Sequence, residues 1–129
     1  MKSKTISVTI ACGHQEVYDF ASNLKNLPKW AGAFCLSIEK KSGKFIAQTP
    51  QGPVTIRMVE RNTLGVMDHY VVTAEGSEVF VPMRVVANEL GSEVLFTLFR
   101  RSGMTDAQYE QDIKFVERDL TGLKSALEN

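Results

Sequence analysis

The sequence predicts an α+β domain: seven antiparallel strands form one sheet, and a long carboxy-terminal helix covers its apolar face, with two short helices after the first strand. Three observations lead there. The amino-terminal residues alternate with period two, turn residues cut the middle of the chain at short intervals, and the carboxy-terminal residues carry an apolar stripe at helical spacing.

In the first strand, Lys4 to Ile10, Ile6, Val8 and Ile10 fall on one face and Thr5, Ser7 and Thr9 on the other. The period then changes. Val17, Phe20, Ala21 and Leu24 recur at helical spacing, and Glu16 and Asp19 suit the positive end of a helix. Asn23 to Pro28 interrupts that helix, and Pro28 starts a second short turn carrying Trp30.

From Phe34 onward, breakers at Lys41-Ser42-Gly43, Pro50-Gln51-Gly52-Pro53, Asn62-Thr63-Leu64-Gly65, Ala74-Glu75-Gly76 and Asn88-Glu89-Leu90-Gly91 leave no room for crossover helices. Consecutive strands therefore pair as antiparallel hairpins. Alternation turns Phe34, Leu36 and Ile38 inward on the second strand, Phe45 and Ala47 on the third, and Val54, Ile56 and Met58 on the fourth. On the fifth, Met67, His69 and Val71 are taken as inward, because the opposite choice puts Asp68 in the core. Val79, Val81, Met83, Val85 and Ala87 face inward on the sixth, with Pro82 outward, and Val94, Phe96 and Leu98 on the seventh.

The last element begins at Thr105-Asp106-Ala107-Gln108, which fits a capping box. Tyr109, Ile113, Val116, Leu120, Leu123 and Leu127 follow in alternating steps of four and three, within an arc of roughly 80°. Thr105 to Leu127 would make a helix about 35 Å long. A coiled coil would give the same stripe, but here an apolar sheet face needs covering.

The chain of 129 residues makes a single domain, 1–129, large enough to fold without a disulfide or metal. Fifteen Lys plus Arg balance fifteen Asp plus Glu, which argues against non-specific nucleic-acid binding and against docking on an anionic membrane, and stable membrane insertion is not expected either. No apolar run reaches the roughly 20 residues of a membrane span. The amino terminus leads into alternation rather than a signal-peptide core, so a cytoplasmic location is expected. Cys12 and Cys35 form no CxxC and read most simply as small core residues. His14 and His69 form no HExxH pair, and no phosphate-cradling, dinucleotide-binding or nucleophile-elbow motif occurs, so no metal, cofactor or catalytic residue is assigned.

Val17-Tyr18-Asp19-Phe20 with Leu27-Pro28-Lys29-Trp30, Gly65-Val66-Met67-Asp68-His69, Val81-Pro82-Met83-Arg84-Val85-Val86, and Val116-Glu117-Arg118-Asp119-Leu120 with Leu123-Lys124 resemble the polyketide cyclase/dehydrase-like branch of the SRPBCC (START-like) superfamily. The resemblance spans nearly the whole chain. It implies the helix-grip fold, a strongly curved sheet wrapped around the long helix with a cavity between them. The superfamily includes lipid carriers, hormone binders, aromatic cyclases, ubiquinone-binding proteins and chaperone activators, so the site must be argued separately.

The expected function is binding of a small hydrophobic or aromatic molecule in that cavity. The alternatives are a cyclase/dehydratase-type enzyme and a non-catalytic protein-binding adaptor, and a homodimer stays open. The candidate lining residues are Trp30, Phe34, Ile56, Met58, His69, Val71, Val81, Met83, Phe96, Tyr109 and Ile113. His69 is either a satisfied core histidine or the cavity's polar contact and proton mover. Trp30 is either a core anchor or an aromatic at the cavity mouth, and Met58 and Met83 fill a core as readily as they line a pocket. Asp112 and Asp119 flank the helical stripe and are expected to pair with Arg84, Arg100 or Arg57, or else to face the cavity. Lys40-Lys41 and Arg100-Arg101 read as solvated surface.

Overall fold

A computed structural model describes all 129 residues. Strand β1 (Ser3–Ile10) is followed by helix α1 (His14–Ala21), a 3-10 turn (Leu24–Asn26) and the one-turn helix α2 (Leu27–Trp30). Strands β2 (Ser37–Lys41), β3 (Lys44–Thr49), β4 (Gly52–Met58), β5 (His69–Thr73), β6 (Glu78–Val81), β7 (Met83–Asn88) and β8 (Gly91–Phe99) lead to helix α3 (Asp106–Glu128). No helix is long and apolar enough to cross a membrane.

All strand pairs are antiparallel, in two ladders ordered β2-β3-β4-β5-β6 and β1-β8-β7. The structure has eight strands in two sheets where alternation predicts seven in one, because the sixth is divided at Pro82. Proline has no N–H for the ladder and is confined to strand breaks and edges. The fifth strand's partner is therefore bent, and the amino-terminal approach to β5 follows it around the bend. The Met67 N–H donates to the Met83 carbonyl (2.8 Å) and the Val85 N–H to the Gly65 carbonyl (3.0 Å). Gly65 has φ +72°, and a Cβ there would collide with the Val85 carbonyl oxygen, so both conformation and space call for glycine.

The bend is latched by Asp68. Its Oδ1 accepts from the Met83 N–H (2.9 Å), the donor that the break at Pro82 takes out of the ladder, and from Arg84 Nε (3.2 Å). Oδ2 accepts from Arg84 Nη2 at 2.9 Å. Asp68 does alternate away from Met67 and His69, yet it is only 7% exposed. Facing outward did not leave it in solvent. The bend folds Arg84 and the β7 backbone over it. Burial pushes its carboxyl pKa up, but the Arg84 hydrogen bond and the Met83 N–H outweigh that and hold it below the ordinary 3.8.

Other departures have local causes. Phe34 and Leu36 precede β2 in a loop, leaving Phe34 half-buried and Leu36 exposed, and Ala87 is exposed near the end of β7. Arg100 is more than solvated surface: it donates to the Met104 carbonyl (3.0 Å) and pairs with Asp106 (2.7 Å) just ahead of α3. Cys12 is half-buried and Cys35 buried, and both are free thiols. Burial raises both thiol pKa values, with the Glu16 carboxylate adding to the rise at Cys12, so neither is activated.

Helix α3 starts with the capping box intact: Thr105 Oγ1 accepts from the Gln108 N–H (3.1 Å) and Gln108 Oε1 from the Thr105 N–H (2.9 Å). It packs on β1 and α2 within the same chain. Leu120 and Leu123 enter the main core with Ile10, Val17, Trp30, Ile56, Met83 and Val94. Gly122 lies so close to α2 that a Cβ would collide with the Trp30 carbonyl oxygen.

Two expectations test this frame. Leu120 is 2% exposed, so Leu120→Ala should lose about 2–5 kcal/mol in reversible urea denaturation. Asp68→Ala strands the Met83 N–H and should cost about 1–3 kcal/mol near neutral pH. Because the folded Asp68 pKa lies below the ordinary 3.8, its contribution is present above that pH and lost below it, so the gap to wild type should close in acid.

Candidate functional site

The face of the sheet toward the core carries two cross-strand rows. Met58, His69 and Val81 are directly opposite one another on β4, β5 and β6, and Phe45, Ile56, Val71 and Val79 form the next row. Phe96 on β8 pairs with Met83 and meets His69 edge-on, ring centroids 6.2 Å apart. Residues from three other strands, β4, β6 and β8, thus meet around one imidazole.

Burial divides the eleven candidate lining residues. Trp30, Ile56, Val81, Met83, Tyr109 and Ile113 are buried, whereas Phe34, Met58, His69, Val71 and Phe96 keep contact with solvent. Val81, Tyr109 and Ile113 are buried but stand apart from the main core cluster. A half-exposed apolar row on an inward face needs open space in front of it, since close packing would otherwise seal it. Helix α3, which packs chiefly on β1 and α2, does not seal that row. Tyr109 is fixed at the amino-terminal half of α3 by its hydroxyl, which donates to the Leu98 carbonyl (3.0 Å).

His69 is the polar group of this apolar surface. Its Nδ1 lies 3.0 Å from the Met67 carbonyl oxygen, and its Nε2 has no protein partner. Burial lowers its pKa from 6.5, against the opposing effects of the Met67 bond and of Asp68, so the ring is neutral at neutral pH. Asp68 cannot share in its chemistry, being committed to Arg84 and Met83. The remaining ionisable residue on an apolar flank, Asp112, has its pKa raised by burial and has no hydrogen-bond partner.

The aspartates flanking the α3 stripe do not form the expected ion pairs. Arg84 is taken by Asp68, Arg100 by Asp106 and Arg57 by Glu78. Buried Asp119 instead accepts from the Ala33 N–H (2.9 Å), stapling the loop after α2 to α3. Burial raises its pKa, partly offset by the Ala33 and Phe34 amides. Sequence spacing could not reveal this role, because backbone amides leave no residue signature. Trp30 is 7% exposed at the same junction, and its indole N–H is sealed without an acceptor.

Two depressions mark the surface. One, of about 310 Å³, lies between α1 and the end of β4, lined by Tyr18, Asp19 and Arg61 among others, and Met58 alone of the candidates borders it. The other, of about 440 Å³, lies on the outer face around Pro82, Arg84, Val86 and Leu95.

No protein-family model matches the chain, and no curated protein matches it in sequence. Solved structures do match in shape. XoxI from Bacillus cereus superposes with a TM-score of 0.79 at 16% identity, over 98% of this chain and 96% of that one. The Aha1 dimer from Colwellia psychrerythraea gives 0.74 at 17% identity, over 99% and 97%. The di-domain ARO/CYC protein BexL from the BE-7585A biosynthetic pathway gives 0.73 at 16% identity, over 99% of this chain and 47% of that one. At such identities the likeness is one of fold, and that fold is the helix grip.

The neutral state of His69 has a measurable consequence. Its folded pKa lies below 6.5, so the stability contributed by the neutral ring is complete above that pH and declines as the pH falls through the folded value. The difference in unfolding free energy between wild type and His69→Gln, followed by urea denaturation from neutral into acid, should shrink across that window. A difference that does not change with pH would mean the ring is not buried neutral.

Proposed function

We propose that this chain is a cytoplasmic binding protein that takes a small apolar or aromatic molecule into a groove between the sheet and α3, with His69 as its directing polar group. The observation that carries the reading is the half-exposed surface of Met58, Val71 and Phe96 beside an imidazole with a free Nε2. Ligand sites are mostly apolar with a few placed polar groups, and this surface has that composition. A general acid–base mechanism of the cyclase type, which likeness to BexL brings to mind, needs a second proton-handling group in reach of the first. Asp68, the carboxylate next in sequence to His69, is engaged on the other side of the strand. Binding without turnover is therefore the better reading.

The outer face supports a second reading, as a protein-binding surface or homodimer contact of the SRPBCC type. Tyr70 and Phe80 pack at 5.1 Å, Phe80 and Phe99 at 6.5 Å, and Phe80 and Phe99 are 39% and 44% exposed. Likeness to the Aha1 dimer points the same way. A single aromatic stripe names no partner, so the groove reading stands first.

Titration with Nile red separates the two. The groove reading expects one probe molecule per folded chain, and Val71→Trp, which fills the groove from β5, should abolish that binding while far-ultraviolet circular dichroism stays native. Burial of apolar probe surface at about 25 cal/mol per Å², less the cost of association, is the driving force. Absence of binding, or binding indifferent to Val71→Trp, would leave the outer face as the site of function.

A further inference from the structure

We propose that the groove selects ligands that donate a hydrogen bond, phenols and other hydroxylated aromatic molecules, because His69 offers them an acceptor and no donor. The inference rests on the groove being the binding site and adds the chemistry of what enters it.

A carbonyl oxygen only accepts, so the 3.0 Å contact between His69 Nδ1 and the Met67 carbonyl requires the proton on Nδ1. The neutral ring then has a bare lone pair on Nε2. That atom has no protein partner, yet it is not sealed: the one sealed side-chain nitrogen or oxygen lacking a partner is Trp30 Nε1. Nε2 is therefore open to an incoming donor.

The surroundings keep this polarity fixed. Met58 and Val81 flank the imidazole across the sheet and Phe96 meets it edge-on, so the ring is held among apolar side chains that favour its uncharged form. The nearest carboxylate in the chain, Asp68, faces the opposite way and is neutralised by Arg84. A ligand hydroxyl can donate to Nε2. A ketone, quinone or ether oxygen meets lone pair against lone pair and strands both. A hydrocarbon leaves Nε2 unpartnered, as it already is. The order of preference is hydroxyl over hydrogen over carbonyl on one aromatic frame.

The test uses naphthol, its methyl ether and acetylnaphthalene as competitors of Nile red on the full chain, with His69→Phe as the variant. Naphthol should bind wild type about tenfold more tightly than the ether, the range of one buried hydrogen bond, and acetylnaphthalene no better than the ether. In His69→Phe the naphthol-to-ether ratio should fall to about one. Should that variant fold poorly, nitrogen NMR of the histidine rings in the native protein reads the tautomer directly, with exposed His14 identified by His14→Gln; His69 should carry its proton on Nδ1. Equal affinities in wild type, tighter binding of acetylnaphthalene, a hydroxyl preference that survives His69→Phe, or a proton on Nε2 would each overturn the proposal and leave the groove standing. Failure of all three compounds to bind would remove the groove itself.

Discussion

The Pro82 bend and the carboxylate that holds it set the geometry on which everything else depends. A strand broken by proline exposes the next residue's N–H, and a buried donor without an acceptor is costly. Asp68 accepts that donor at Met83 and is itself balanced by Arg84, so one side chain repairs the ladder and pins the angle between its two parts. Gly65 and Met67 run alongside and carry the pairing across the break. Without this arrangement β6 and β7 would continue as one strand, and Met58, His69, Val81 and Phe96 would not converge.

Helix α3 is fastened mainly through its carboxy-terminal half. Asp119 grips the loop after α2, Gly122 admits the Trp30 backbone, and Lys124 donates to the Thr9 carbonyl and Glu128, which in turn accepts from the Ala11 N–H. The amino-terminal half has the Tyr109 hydroxyl and the Arg100–Asp106 pair. The groove we propose borders this less heavily tied half, which carries Tyr109 and Ile113. Its polar content is low, and the one unpartnered imidazole nitrogen on the sheet side gives it a chemical direction.

Much of this fold was legible because it is written in periodicity. The alternation on β1, the turn residues between hairpins and the Thr105–Gln108 box correspond to elements at nearly those boundaries, and the inward assignment of Met67 and His69 agrees with the pairing of His69 with Met58 and Val81. The misreadings arise where the signal is tertiary. Pro82 could be placed on an outer face, but not recognised as a break whose orphaned donor calls in Asp68. Asp112 and Asp119 read as charges needing cations, whereas Asp119 is satisfied by a backbone amide that no side-chain pattern records. The division of the eleven candidate lining residues into sealed and open ones was not legible, since exposure depends on how far the sheet curves.

The buried indole gives the molecule an internal optical marker. Trp30 is the sole tryptophan, sealed at the junction of α2 with α3, and its N–H is without an acceptor. An indole in such a dry, unbonded site emits at shorter wavelength than one in water, because no solvent dipoles relax around its excited state. Its emission therefore records whether the carboxy-terminal helix is docked. Since the backbone of Trp30 rests on Gly122 while His69 lies out on β5, helix docking and events at the imidazole are reported from separate places in the chain.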